Sequence, residues 1–203
     1  MPGTQYVMIR TPLALIPYLI AAATVAAGLL WHAGDSLSGA NLVAGEASIG
    51  GPFTLSDQDG KVRRVADFRG RFMLVYFGYS RCPDICPTTL AVMADALEKL
   101  GPKAGRVVPI FITIDPERDS PRVLKSYLKA FGPRFVGLTG DAQSIASAAK
   151  AYRVYFHKRP LKGGYAMDHS SHIYLMGSDG KFIAHYDETL GPDGLAQALK
   201  KQI

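Results

Sequence analysis

Tyr76-Phe77-Gly78-Tyr79-Ser80-Arg81-Cys82-Pro83-Asp84-Ile85-Cys86-Pro87 links a continuous apolar run, Phe72 to Phe77, to a stretch in which Leu90, Met93, Leu97 and Leu100 recur at helical spacing. The run has the length and aromatic content of a buried central strand. The order is therefore strand, turn, cysteine pair, helix. Pro87 suits the first helical position, which would place Cys86 at the N-cap and Cys82 in the turn before it. Both sulfurs then lie near a helix N-terminus, whose partial positive charge favours thiolate over thiol. A thiolate is both a nucleophile and a metal ligand. Cys82 and Cys86 are the only cysteines, too few for a disulfide framework or, alone, for a tetrahedral zinc site. A buried apolar pair, one short-loop disulfide, a redox pair and part of a metal site all stay open.

Upstream, Phe53 to Leu55 and Val62 to Val65 flank the turn signal Asp57-Gln58-Asp59-Gly60 and predict an N-terminal hairpin. Downstream, Gly101-Pro102 stops the first helix, and Val107 to Ile114 reads as a second buried strand. Ser120-Pro121 opens a helix that ends near Phe131-Gly132-Pro133, with Ser120 as N-cap. Phe135 to Leu138 predicts a short strand, and Asp141 caps a helix carrying Ile145, Ala148, Ala149 and Tyr152. Ile173 to Met176 and Phe182 to Tyr186 flank Gly177-Ser178-Asp179-Gly180 as a second hairpin, and Gly194 to Lys200 closes the chain as a helix. This succession predicts an α/β sandwich with a mixed sheet.

Soft sulfur ligands favour Cu(I), and imidazole also suits copper. Two thiolates would need a third ligand from elsewhere in the fold. Of the histidines, His32 lies near the N-terminal apolar run, His157 has charged neighbours, and His185 alternates within a strand. Asp168-His169-Ser170-Ser171-His172 joins the Gly163-Gly164 loop to a strand, where loop side chains reach across strand ends. His169 precedes that strand and points freely, whereas His172 stands at its start. Asp168 is expected to orient a ligand as an acceptor.

Leu13 to Trp31 is almost wholly apolar and carries no charge; Arg10 precedes it and Asp35 follows. About 20 apolar helical residues span a bilayer's hydrocarbon core. Pro12 suits a helix start, Pro17 a kink that membrane helices tolerate, and Trp31 the interface. A cleaved signal peptide, with Ser38-Gly39-Ala40 as its cleavage site, is the competing reading. The expectation is one transmembrane anchor over 1–32, a Gly/Ser/Ala tether over 33–49, and one domain over 50–203. Arg10 places the N-terminus inside, with later residues exported. No Arg-rich transit peptide precedes the anchor. The expected location is therefore a bacterial cytoplasmic membrane, with the domain facing the periplasm.

The chain has 203 residues, 48% hydrophobic and 20% charged, which excludes a disordered or fibrous protein. Its 23 lysines and arginines against 17 acids give +6 with no long run of like charge, so nucleic acid is not expected as a partner.

The Cys82-Pro83-Asp84-Ile85-Cys86-Pro87 turn, followed later by Tyr165-Ala166-Met167-Asp168-His169-Ser170-Ser171-His172-Ile173-Tyr174-Leu175, resembles the Sco/SenC family. Gly50-Gly51-Pro52-Phe53-Thr54-Leu55, Asp67-Phe68-Arg69-Gly70 and Asp115-Pro116-Glu117-Arg118-Asp119 look like further family blocks, in order. The resemblance covers essentially the whole exported domain. It implies a thioredoxin-like fold that holds copper, as Cu(I) or also Cu(II), on Cys82, Cys86 and His169, with Asp84 and Asp168 in supporting roles. It further implies a metallochaperone that delivers copper to the binuclear centre of cytochrome c oxidase subunit II; the sequence names no copper donor. Asp115-Pro116-Glu117-Arg118 reads as a capping and turn motif.

Two functions of different class follow. One is copper binding and transfer, which needs no general base or oxyanion hole. The other is a membrane-anchored thiol-disulfide oxidoreductase using Cys82 and Cys86. Oxidoreductases of this fold usually place two residues between the cysteines, not three. They also carry a proline before the strand facing them, where Ser170-Ser171 stands here.

Overall fold

The computed structural model of the chain describes residues 49–203. The expected anchor (1–32) and nearly all of the tether (33–49) lie outside the described residues. Among the described residues no helix is long and apolar enough to cross a membrane.

The expected N-terminal hairpin is present as β1 (Thr54–Asp57) and β2 (Val62–Arg64). The two apolar runs become β3 (Phe72–Gly78) and β4 (Val107–Thr113), parallel and in register from Phe72 opposite Val107 to Gly78 opposite Thr113. Every residue of both strands is buried. That is why they read as continuous rather than alternating: a parallel pair covered on both faces has no solvent side. Between them runs α1 (Ile85–Lys99), which buries Leu90, Met93 and Leu97. It is followed after β4 by α2 (Pro121–Leu128), β5 (Val136–Thr139) and α3 (Ala142–Ala151). The caps are those expected. Ser120 Oγ accepts from the Val123 N–H at 3.4 Å, and the Asp141 carboxylate accepts from the Ser144 N–H at 2.7 Å.

The C-terminal part contributes β6 (Phe156–Leu161), β7 (Gly164–His169), β8 (Ile173–Met176), β9 (Phe182–Tyr186) and α4 (Gly191–Gln202), which packs against α1. The central sheet has seven strands in the order β2-β1-β5-β4-β3-β8-β9. It is mixed: β3, β4 and β5 are parallel, while β1 and β8 run antiparallel to their neighbours.

Two details differ from the sequence reading. The first helix begins at Ile85 with Asp84 at the N-cap, so Cys86 is the second helical residue and Pro87 the third. The first four N–H groups of a helix have no intrahelical partner, so proline at the third position removes no bond. The shift leaves the Cys86 N–H free to point back at Cys82. The second difference is the β6–β7 hairpin, a separate two-stranded sheet where a loop was expected. Leu161 pairs with Gly164 across a Lys162-Gly163 turn, and Gly163 has φ 88°. That left-handed conformation suits glycine in a tight hairpin. Five of the six β6 residues are exposed, so no alternation of apolar residues marks it in the sequence.

The topology decides where the site falls. Tyr76 of β3 pairs with Ile173 of β8, so the C-terminal end of β3 lies beside the start of β8. The cysteine turn leaves that end of β3, and β7 delivers its last residue, His169, just before β8.

Candidate metal centre

Cys86 is fully buried and Cys82 partly so; both are free thiols. The Cys82 N–H bonds the Tyr79 carbonyl at 3.2 Å, closing the turn, and the Cys86 N–H points at Cys82 Sγ at 3.4 Å. Gly78 makes room for the second sulfur. A Cβ there would stand 2.8 Å from Cys86 Sγ and 3.0 Å from the Phe111 ring. Under and beside the sulfurs lies an aromatic floor. The Tyr76 hydroxyl is 3.7 Å from Cys86 Sγ, and the Tyr76 and Tyr79 rings meet the His169 ring edge-on at 6.3 and 6.0 Å between centroids.

His169 Nε2 lies 3.5 Å from Cys86 Sγ. Its Nδ1 lies 2.8 Å from the Ser170 carbonyl oxygen. A carbonyl only accepts, so Nδ1 carries a proton and donates, which leaves Nε2 as the ring nitrogen that faces the sulfurs. Cys82, Cys86 and His169 thus offer two sulfurs and one nitrogen, all within 4.8 Å of one another. Metal–sulfur bonds of about 2.3 Å and metal–nitrogen bonds of about 2.0 Å would separate three trigonal ligands by about 4 Å. The trio therefore fits one ion with shifts of no more than about 1 Å.

The two thiols are unequal. The Cys86 thiol donates to Cys82, and this holds Cys82 down to about 3 against the cost of partial burial. Hydrogen bonds with His169 and with the backbone N–H groups of Asp84 and Cys86 add to the effect. Cys86 moves up, because ionising it breaks that bond and because it is buried. The pair therefore shares one proton, with the charge on the accessible sulfur. One prediction follows. An ordinary thiol, with pKa about 8.5, slows tenfold per pH unit below that value. Alkylation of Cys82 by iodoacetamide is expected to be nearly flat from pH 8 to about 4, with Cys86 unlabelled. Nucleophilicity falls with pKa at a Brønsted slope of about 0.4–0.5, so the flat profile is the signature, not a fast rate at pH 7. A tenfold fall per unit below pH 8 would contradict the assignment.

The other residues singled out by the sequence fall elsewhere. Asp168 is exposed and pairs with Arg159 at 3.1 Å; it does not touch His169. Neighbours along a strand face opposite sides, and the partner of His169 Nδ1 is the Ser170 carbonyl. The Asp84 side chain is exposed and makes no cap bond; its contribution runs through its N–H to Cys82. His157 is exposed on β6, opposite Asp168. His172 and His185 sit at the β8–β9 end with ring centroids 5.0 Å apart, outside the cysteine cluster. His32 lies outside the described residues.

Sequence reasoning passed over a set of supporting side chains. Asp119, fully buried, accepts from the Ser80 N–H at 3.0 Å, from the Ser80 hydroxyl, and from the Thr113 hydroxyl at 2.6 Å. It thereby ties the cysteine turn to the end of β4. Thr113 Oγ1 accepts in turn from the Asp115 N–H at 2.9 Å. The only advance signal was the acid-rich Asp115–Asp119 block itself.

Comparison with known proteins places this geometry among relatives. The profile of the family described as SCO1/SenC matches residues 43–203. The "SCO2-like protein" of Rickettsia felis is 39% identical over 165 residues, spanning 79% of this chain and 80% of the relative. The structure of Bradyrhizobium japonicum ScoI with copper bound is similar at 43% identity and a TM-score of 0.72, covering 77% of this chain and 100% of that one. BsSco, described as a member of the Sco family of cytochrome c oxidase assembly proteins with a disulfide switch, is 29% identical. Its TM-score is 0.62 over 75% of this chain and 92% of that one.

Proposed function

This chain belongs to the SCO1/SenC family, and from that premise we propose that it is a copper-binding metallochaperone serving cytochrome c oxidase assembly. Its cargo is copper, held by Cys82, Cys86 and His169, and its acceptor is the binuclear copper centre of oxidase subunit II. The observation that carries this reading is the convergence of both sulfurs and a His169 ring nitrogen within 4.8 Å of one another. Two sulfurs and one imidazole in a partly apolar pocket suit Cu(I), and ScoI, at 43% identity, is a copper-bound relative.

The inequality of the sulfurs suits transfer as well as binding. Buried Cys86 is the fixed ligand. Cys82 and His169 are partly exposed, so an acceptor's ligands can displace them first. Both cysteines must be reduced to bind, so loading depends on redox state. The uncharged run Leu13 to Trp31 supports the further proposal of a membrane anchor over 1–32 and a tether over 33–49. The domain from residue 50 would then stand in the periplasm beside the bacterial inner membrane that holds the oxidase.

One observation favours a second reading, a thiol-disulfide oxidoreductase. An accessible sulfur held as thiolate beside a buried thiol is the arrangement an exchange reaction starts from, and BsSco is described as having a disulfide switch. The two separate in one experiment. The reduced full chain in detergent, loaded with Cu(I), is mixed with a soluble oxidase subunit II domain whose cysteines are reduced. Copper is expected to pass to that domain. Retention of copper, together with insulin reduction at enzymatic rates, would overturn the chaperone reading in favour of the oxidoreductase.

A further inference from the structure

The third ligand of the candidate centre is carried by an element with little of its own to hold it in place. The β6–β7 hairpin is hydrogen-bonded into no strand of the central sheet. An isolated two-stranded hairpin is marginally stable in water. The position of His169, its last residue, therefore depends on side chains that fasten the hairpin to the body.

Met167 of β7 is buried in the core, and the polar fasteners converge on the Asp115–Asp119 loop. The Arg118 guanidinium lies 3.6 Å from the centroid of the Tyr165 ring on β7, and 5.7 Å from that of Tyr79 in the cysteine turn. Arg118 Nη1 donates to the Tyr165 carbonyl at 2.9 Å, and its Nε donates to buried Asp115. The Tyr165 hydroxyl donates back to Asp115 at 2.8 Å, and Lys158 on β6 pairs with Glu117 at 2.8 Å. Among the described residues, Arg118 Nη2 is buried without a hydrogen-bond partner. The group is thus packed between rings rather than spread into solvent, as a flat guanidinium allows and a lysine ammonium does not.

The same loop holds the other half of the centre. Asp115 connects through Thr113 to Asp119, and Asp119 to Ser80, two residues before Cys82. One polar chain runs from the cysteine turn to the histidine hairpin, and Arg118 is its last link.

We propose that Arg118, clamped on Tyr165, is a positioning residue that holds the β6–β7 hairpin down so that His169 meets the two sulfurs. This rests on the copper reading only for its affinity readout; the fastening itself concerns the protein without metal. Arg118 touches no sulfur and no imidazole nitrogen, so its effect on the centre is indirect and runs chiefly through the hairpin that carries His169. Loss of an outer partner of a metal ligand typically costs about 10–100-fold in affinity.

The test uses the reduced full chain in detergent and Cu(I) in competition with a chelator. Arg118→Met is expected to weaken Cu(I) binding about 10–100-fold, and Arg118→Lys to restore only part of it. In a His169→Ala background, Arg118→Met is expected to cost little further, because residues that act through one group are not additive. Tyr165→Phe, which removes one hydroxyl and keeps the ring, gives a milder loss and covers the case in which Arg118→Met fails to fold. Hydrogen exchange of the metal-free protein reads the clamp directly, with amides of Met167 to His169 opening faster in the variants. Wild-type affinity in Arg118→Met, or an equal loss with and without His169, would overturn the proposal. If wild type bound no copper, the copper reading would fall alone, and unchanged hairpin exchange would still decide against the clamp.

Discussion

Alanine at position 86 is expected to remove copper binding at competitive chelator concentrations, taking the loaded chain from one copper to none. The loss should exceed the about 10–100-fold that follows removal of an outer partner, because a ligand itself is gone. Two further effects fall on the same residue. Cys86 is fully buried, so the Tyr76 hydroxyl, 3.7 Å away, loses its sulfur partner. And Cys82 loses the thiol that stabilises its thiolate, so the sulfur that remains is a poorer ligand near neutral pH. The check is copper per chain after chelator challenge, with unfolding midpoints showing that the variant is folded. A Cys86→Ala chain that retained copper like wild type would remove the buried sulfur from the ligand set.

Asp119→Ala is the second large effect, and it falls on stability. The carboxylate accepts three hydrogen bonds, from the Ser80 N–H, the Ser80 hydroxyl and the Thr113 hydroxyl. The buried Thr113 hydroxyl left unpaired costs about 1–3 kcal/mol and the two donors of half-buried Ser80 less, while relief from burying a charge offsets part of that. A net loss of about 2–4 kcal/mol is expected, read as a lower urea midpoint at unchanged m-value. Asp119→Asn keeps the shape and one carbonyl acceptor while the hydroxyls reorient, so most of the stability is retained. Equal stability of Asp119→Ala and wild type would show that the cysteine turn does not depend on this anchor.

The parts of the fold legible in the sequence are those whose physics is local. Phe72 to Phe77 announces a doubly covered strand because no residue in it faces water. Ser120-Pro121 and Asp141 announce helix starts because a cap and a proline act within one turn. The cysteine pair at a strand-to-helix turn is legible for the same reason. Cys86 at the N-cap was a misreading by two positions, since proline is equally free of penalty at the third helical position. The β6–β7 hairpin was missed because its strand Phe156–Leu161 is nearly all solvent-facing, so burial imprints no period on it. Asp119, Arg118 and Tyr165 stayed invisible as a group. Their partners are 39 and 47 residues away along the chain, for Ser80–Asp119 and Arg118–Tyr165, and spacing says nothing about contacts at that range. The carboxylate of Asp168, expected to support the imidazole, pairs with Arg159, which lies nine residues away and is not marked by spacing.

Copper binding at this site requires three side chains to share one ion. X-ray absorption at the copper edge of the reduced, Cu(I)-loaded chain measures this directly. Two sulfur scatterers and one nitrogen are predicted, with the nitrogen lost in His169→Ala and both sulfurs kept. A first shell of sulfur alone in the wild-type protein, unchanged by His169→Ala, would contradict it.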